Sequence, residues 1–405
     1  MTYQDTLNWM FSKLPMYQKQ GKTAFKANLD NSISFANHLN NPQNTIKTIH
    51  IGGTNGKGST SNMLASVLQE AGYKVGLFTS PHLKDFRERI RINGKMVNED
   101  YVIDFIHENK DYLEETGLSF FEMTSGMAFD YFSKNKVDVA IIEVGLGGRL
   151  DSTNIITPEL SIITNIGLDH TQFLGDTLDK IAFEKAGIIK SNIPVVIGKT
   201  QSETKPVFEA KALKLHAPIF FADQMVKADY KSDLEGDYQT ENIQTVLQAI
   251  AVLKTLNYII HEDFIYNGLK QVMANTGFQG RWQILQQKPF VVCDTAHNSD
   301  GLKIVMKQLL NMPFKALHIV FGVVNDKDLV SILPLLPKQA TYYFCKPDVP
   351  RGLDEKVLRD TFIEQGFIGS DYSSVNDAFT SAKNTAKEHD IIYIGGSTFV
   401  VAEII

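Results

Sequence analysis

The sequence predicts an α/β protein: a mostly parallel sheet domain built around a phosphate-binding loop, followed by a smaller doubly wound α/β domain. Three observations predict it. Strand-like and helix-like segments alternate over most of the 405 residues, as in a parallel sheet with covering helices. A glycine-rich turn separates a β-branched run from a helical period. The pattern breaks at a polar stretch from Asn275 to Gly280 and then begins again.

The first strand runs from Ile46 to Ile51. The turn that follows reads Gly53-Thr54-Asn55-Gly56-Lys57-Gly58-Ser59, and Met63, Leu64, Val67 and Leu68 then recur at helical spacing. A glycine turn entering a helix leaves backbone N–H groups free and aims the positive helix end at an anion. Lys57 adds a charge at the same place, so phosphate is the natural guest. The common phosphate loop puts a hydroxyl directly after the lysine; here Gly58 stands there.

Val75 to Thr79 reads as the next buried strand. Asn98 to Thr116 and Phe120 to Lys134 read as helices, Val137 to Val144 and Leu160 to Ile166 as strands, and Leu178 to Lys190 as one helix. A strand from Pro194 to Gly198 and a helix from Lys205 to Leu215 follow, then two helices, Thr240 to Leu256 and His261 to Ala274. The second series has strands at Phe290 to Asp294, Leu317 to Gly322, Thr341 to Phe344 and Ile391 to Gly395. The expected domains are 1–280 and 281–405. Gly21 to Gln43 is polar and irregular and reads as a mobile loop.

Composition narrows the class. A hydrophobic fraction of 43% over this length is enough for a large core. Lys and Arg total 40 against 46 Asp and Glu, which argues against a protein coated in nucleic acid. Two distant cysteines, Cys293 and Cys345, give no disulfide framework or metal site. No apolar run approaches the roughly eighteen residues of a membrane span. The polar start Met1-Thr2-Tyr3-Gln4-Asp5 lacks a signal-peptide core, so a cytoplasmic location is expected.

Chemistry-bearing residues sit at strand ends, where open α/β sheets gather ligands. Ser80, in Thr79-Ser80-Pro81-His82, offers a hydroxyl to a hard cation, although Ser-Pro also makes plain turns. Glu143 ends an apolar strand, where an ionised carboxylate is costly without a positive partner. Mg²⁺ bridging to phosphate is one partner; a salt bridge to Arg149 is the other. His170, in Asp169-His170-Thr171, shares the strand-end position, though Mg²⁺ prefers oxygen ligands. Glu184 and Lys185 read by periodicity alone as solvated helix charges.

These motifs, in this order, resemble the folylpolyglutamate synthase and dihydrofolate synthase family, part of the Mur ligase group of ATP-dependent amide-forming enzymes. The resemblance also rests on Leu146-Gly147-Gly148-Arg149-Leu150-Asp151, Phe183-Glu184-Lys185-Ala186-Gly187, Asp294-Thr295-Ala296-His297-Asn298 and Gly395-Gly396-Ser397, and covers nearly the whole chain. It implies that Lys57 and the loop amides from Thr54 through Asn55, Gly56 and Gly58 to Ser59 hold the β- and γ-phosphates. Ser80, Glu143 and His170 would ligate magnesium. Lys185 matches the position that family members carry as a carboxylated lysine, a carbamate able to reach a second Mg²⁺. Asn242 matches an adenine or ribose contact, Arg281 an arginine reaching ATP, and Asp294 a further nucleotide contact. His297 and Ser397 would face the incoming amino acid; singly, these last three residues would pass for loop caps or surface groups. Thr124 and Asp151 would touch the pterin.

The implied reaction makes an acyl phosphate from ATP and a substrate carboxylate, which the amine of L-glutamate then attacks. The implied partners are small molecules only (ATP, glutamate, folate or dihydropteroate), with no nucleic acid and no membrane, and a monomer is expected. Polyglutamylation of reduced folates is the leading activity, with dihydrofolate synthesis beside it. The segment Phe25-Lys26-Ala27-Asn28-Leu29-Asp30 departs from the family's commoner pattern for a pterin-facing loop. Two alternatives remain: a Mur-type ligase for a cell-wall precursor, which Gly58 disfavours, and a nucleotide switch without ligase chemistry, which would have little use for Asp294, His297 and Ser397.

Overall fold

The computed structural model describes residues 1–15, 28–225, 230–325 and 327–405. The chain divides into two compact units, 1–233 with 239–278, and 234–238 with 279–405.

Among the described residues the first unit holds eight strands: β1 (Thr48–Gly52), β2 (Val75–Phe78), β3 (Ile90–Ile92), β4 (Lys95–Met96), β5 (Val139–Glu143), β6 (Leu160–Ile163), β7 (Val195–Ile197) and β8 (Ile219–Phe221). Their order across the sheet is β4-β3-β2-β5-β1-β6-β7-β8. The six strands from β2 to β8 in that order pair in parallel. Only the β2–β3–β4 edge is antiparallel. β1 and β5 are buried at every residue, as expected for parallel strands covered on both faces.

The Lys57–Glu70 helix is buried from Ser59 to Leu68. Burying Met63, Leu64, Val67 and Leu68 contributes roughly 1.5–3 kcal/mol each. The Glu262–Lys270 helix approaches so closely that a Cβ on Gly268 would lie 2.5 Å from the Val67 Cα. Local signals set the other helix starts. Ser119 and Glu122 form a reciprocal capping box on Phe120–Lys134, and Thr2 with Asp5 does the same for a Tyr3–Lys13 helix. Asn98 caps Glu99–Thr116, which stops at Gly117 with φ +58°.

The second unit holds β9 (Gln283–Gln287), β10 (Phe290–Cys293), β11 (Leu317–Phe321), β12 (Thr341–Cys345), β13 (Ile368–Tyr372) and β14 (Ile391–Gly395), ordered β13-β12-β11-β14-β10-β9. Only β9 is antiparallel. Helices Ser299–Leu310, Glu355–Glu364 and Val375–Thr385 supply its longer covering elements.

Two expectations need correcting. The stretch expected to be a mobile loop carries a helix, Asp30–His38, and a short 3₁₀ turn, Pro42–Thr45. Residues 21–27 lie outside the described residues, as do 25–27 of the divergent pterin-facing segment. The single helix expected over Leu178 to Lys190 ends at Lys185 and gives way to a 3₁₀ turn, Ala186–Ile188. The cause is close packing: a Cβ on Gly187 would stand 2.3 Å from the Arg149 Cα.

Candidate active site

Sheet order dictates the site. β2, β5, β1 and β6 lie side by side and parallel, with Phe78 opposite Ile142, Ile51 opposite Glu143 and Gly52 opposite Ile163. The segments leaving their carboxyl ends therefore share one edge. They carry Ser80, Glu143, the glycine loop and His170.

The glycine loop is sewn to the β6 tip. Thr54 N donates to Asn165 O at 2.9 Å and Asn55 N to Asn165 Oδ1 at 2.9 Å. Thr54 Oγ1 bonds both the carbonyl and the amide of Gly167, and Thr164 Oγ1 donates to Asn55 O at 2.6 Å. Gly53 has φ +138°, and a Cβ there would fall 1.9 Å from Thr164 Oγ1. Gly56 has φ +84°, and its Cβ would meet Asn242 Oδ1 at 2.3 Å. Side chains are thus excluded at both glycines by conformation and by space. The cradle is narrower than expected, because the amides of Thr54 and Asn55 already have acceptors. The first-turn amides of Lys57, Gly58 and Ser59 precede the first helical bond, Thr60 N to Gly56 O, and are the ones a helix end offers to an anion.

Two lysines meet at one carbonyl. Lys57 Nζ donates to Gly53 O at 3.2 Å and Thr54 O at 3.1 Å, and Lys185 Nζ donates to Gly53 O at 2.8 Å. Lys185 is 5% exposed, so it is not the solvated helix charge its periodicity suggests. Burial, with the charge of Lys57 adding to it, pulls its pKa down to about 7, while Asp169 and Asp151 oppose the shift. Its burial comes from the loop after β5. Arg149 N donates to Glu184 O at 2.8 Å, and a Cβ on Gly148 would lie 3.0 Å from Lys185 O. Arg149 forks onto the Glu184 carboxylate at 2.9 to 3.3 Å, and Asn154 Nδ2 bridges Arg149 O and Gly187 O.

Glu143 is 3% exposed, and its Oε2 accepts Ser80 N at 3.0 Å. Arg149 pairs with Glu184, so the salt bridge considered for Glu143 is not the one formed. A cation that acts on Glu143 is Arg89, which is 3% exposed. Burial lowers the Arg89 pKa to about 10, against the upward pull of Glu143 and Glu88. Arg89 Nε donates to His82 Nδ1 at 2.7 Å. That nitrogen is therefore bare, and burial with the Arg89 charge takes His82 down to about 3. Glu88 accepts the amides of Leu83, Lys84 and Asp85 and so shapes the turn between Ser80 and Arg89.

His170 has φ +50° and begins the Thr171–Leu174 helix, with its amide on Asp169 Oδ1 at 2.9 Å. Ser80 and Glu143 thus touch, while His170 stands across β1 at the β6 tip. Among the described residues no group of three or more His, Cys, Asp or Glu is close enough to hold a metal ion. A buried carboxylate bonded to the backbone of a serine nevertheless brings oxygen donors of the kind Mg²⁺ takes while keeping several waters.

Other expected residues have interior roles. Thr124 is fully buried and donates to Phe120 O at 2.6 Å. Asp151 is 4% exposed and accepts Leu146 N, Thr153 N and the Thr153 hydroxyl. Because Thr153 spends its proton there, His50 must donate its Nε2–H to Thr153 Oγ1 at 2.8 Å. Burial takes His50 to about 3, with Lys190 adding to the shift. A small, water-sized pocket nearby is lined by their neighbours Glu122, Ser125 and Ser152 with Phe35 and Gln43. Ser32 Oγ and Gln43 Oε1, residues also in its lining, are buried without partners among the described residues. Asn242 bonds Gln239, which reaches Ser59 Oγ at 3.3 Å, so this group braces the loop from below.

In the second unit β10 and β14 are parallel neighbours, which sets the segment carrying Asp294 and His297 beside the one carrying Ser397. Asp294 is 1% exposed. It accepts the Tyr238 hydroxyl at 2.6 Å, Trp282 N at 2.7 Å and Ala296 N at 2.7 Å. Burial raises its pKa, and the charge of Arg281 opposes the rise. Ser397 caps the Thr398–Ala402 helix through Phe399 N at 3.0 Å. His297 Nδ1 lies 3.0 Å from Thr295 O.

The sequence was compared with known proteins. Residues 51–267 match the Mur ligase middle domain and residues 280–398 the Mur ligase glutamate ligase domain. The dihydrofolate synthase/folylpolyglutamate synthase of Bacillus subtilis is 32% identical over 99% of this chain and 98% of its own length. A probable bifunctional folylpolyglutamate synthase/dihydropteroate synthase of Haloferax volcanii is 31% identical over the whole chain, which spans half of that relative's length. The E. coli FolC structure in complex with DHPP and ADP superposes with a TM-score of 0.87 at 28% identity, covering 100% of this chain and 97% of that one. A bifunctional synthase with Mn, AMPPNP and L-glutamate bound gives 0.86 at 26% identity, covering 100% and 97%. With both Mur ligase domains in order and curated relatives matched end to end, the chain belongs to the folylpolyglutamate synthase/dihydrofolate synthase family of ATP-dependent Mur ligases.

Proposed function

We propose that this protein adds L-glutamate to the glutamyl tail of reduced folates at the expense of ATP, and that it also joins dihydropteroate to glutamate. The second activity is favoured by the naming of the B. subtilis relative for both. The observation that carries the reading is the meeting of Lys57 and Lys185 on Gly53 O, at the sheet edge where Ser80 and Glu143 touch.

The substrate carboxylate attacks the γ-phosphorus of ATP and ADP leaves. The α-amine of glutamate then attacks the acyl phosphate, loses a proton and expels phosphate. Lys57 and the first-turn amides bind the β- and γ-phosphates, which needs positioning and charge neutralisation rather than covalent help. Ser80, Glu143 and His170 would hold Mg²⁺, which supplies charge neutralisation at the transferring phosphoryl group. Asn242 supports the nucleotide through its grip on the loop, and Arg281 and Asp294 are further nucleotide contacts. His297 and Ser397 orient glutamate, and the helix carrying Thr124 and the loop that Asp151 shapes receive the pterin end. Residues 1–280 act as the ATP-binding domain and 281–405 as the glutamate ligase domain, in a monomer in the cytoplasm. Lys185 becomes carboxylated: its neutral amine attacks CO₂ and loses a proton, giving a carbamate anion.

The test is product formation from ATP and labelled glutamate with dihydropteroate and with tetrahydrofolate, side by side. Glutamate-dependent ADP release with both is expected. ADP release with neither, or with a nucleotide-linked cell-wall peptide instead, overturns the reading.

A further inference from the structure

We infer that Arg89 is the residue that receives the reacting carboxylate of the acceptor substrate and couples its binding to that of the metal; this rests on the ligase reading above. Arg89 is 3% exposed. Of its five N–H donors, the structure pairs only Nε, with His82 Nδ1. The other four have no acceptor among the described residues. A buried guanidinium is ordinarily forked onto a carboxylate, as Arg149 is onto Glu184. Its terminal nitrogens are not among the enclosed atoms left without a partner, so their unpaired N–H groups face open space, where an anion can take the place of water.

Its position says which anion. Arg89 O accepts Thr79 N at 3.0 Å, so the residue lies alongside the β2 tip. The next amide, Ser80 N, is on Glu143. The guanidinium carbon sits 5.2 Å from the centre of the Phe120 ring, at the start of the helix that carries Thr124, placed above at the pterin end. Arg89 therefore stands between the candidate metal carboxylate and the pterin end of the site, where a carboxylate due to attack the γ-phosphate must lie. His82, with Nδ1 accepting from Nε, fixes the plane of the fork.

The coupling follows from charge. Without substrate, the carboxylate acting on Arg89 from the β5 tip is Glu143. When Glu143 turns its charge to a divalent cation, the buried guanidinium keeps only part of its balance, from Glu88, and a substrate carboxylate restores the rest. Metal and acceptor should then bind with positive, reciprocal cooperativity.

The experiment measures affinity by calorimetry on the full chain, with Mg²⁺ and a non-hydrolysable ATP analogue. The ligands are dihydropteroate and tetrahydrofolate, each paired with the carboxamide of its reacting carboxylate. Wild type should prefer the carboxylate by about 10- to 100-fold, the scale of one charge-assisted pair. In R89M that preference should collapse towards unity, with carboxamide affinity unchanged. R89K, which keeps the charge without the fork, should fall between and serves if R89M does not fold. Omitting Mg²⁺ should weaken only the carboxylate ligands. A carboxylate preference that survives in R89M or equals wild type in R89K overturns the inference. If no folate or pteroate ligand binds wild type, the ligase reading fails first and this inference falls with it.

Discussion

Individual side chains here fall into those that hold a ligand and those that hold the holders. Lys57 and Glu143 are of the first kind. Lys57→Ala and Glu143→Ala should each lower kcat/KM by roughly 3–4 kcal/mol in transition-state stabilisation, and steady-state kinetics within about tenfold of wild type would contradict that. Asp151 is of the second kind. Asp151→Asn should reduce unfolding free energy by about 1–3 kcal/mol in urea, because the amide cannot satisfy all the donors around it. It should leave pterin affinity nearly unchanged if Asp151 only shapes the loop. Lys185 titrates near 7, and only its neutral amine reacts with CO₂. Carboxylation should therefore rise as pH is raised through about 7, which ¹³C NMR with labelled bicarbonate can follow; a pH-independent or missing carbamate signal would refute it.

At the level of elements, the glycine loop is the part whose geometry admits least change. Gly53→Ala forces a side chain onto Thr164 Oγ1 at φ +138°. The strain should cost about 1–3 kcal/mol of stability and weaken ATP binding, read by thermal melts with and without nucleotide. An unchanged melting temperature would mean the loop yields easily. This loop and its two flanking elements were legible in the sequence, because β-branched residues, glycines and a helical period follow one another without interruption. The Phe120–Lys134 helix was legible to the residue, since Ser119 and Glu122 announce its start. Short edge strands were not: β3 and β4 have three and two residues, β13 leaves Ile368 68% exposed, and the apolar run at β8 is too brief to tell strand from helix. The burial of Lys185 was hidden for another reason. The loop that covers it lies 35 residues earlier in the chain, and no local period reports such contact. Arg89 had a local cue, the Asp85–Glu88 capping box that turns the chain back toward β2, but nothing local shows that its fork lacks acceptors.

Across the whole molecule, acid should act through buried imidazoles. His50 and His82 both fall to about 3 from an ordinary 6.5. Between those values the unfolded chain binds more protons than the folded one, so stability rises with pH across that window and is lost progressively as pH drops below about 6.5. Urea melts at stepped pH should show this slope, reduced in His50→Gln; a flat profile between pH 6.5 and 4 would contradict it. Among the described residues no helix is long and apolar enough to cross a membrane. Asp294 ties together parts distant in sequence, since Tyr238 and Trp282 belong to the two separate segments that make up the second unit. Tyr238→Phe should lower the melting temperature of the second unit by removing one donor from a buried carboxylate. The same arrangement sets a rule for chimeras: exchanging the smaller unit with that of a relative at a single cut near residue 279 strands its carboxylate without the phenol it grew up beside. A viable transplant carries both seams, the five residues of the first as well as everything after the second.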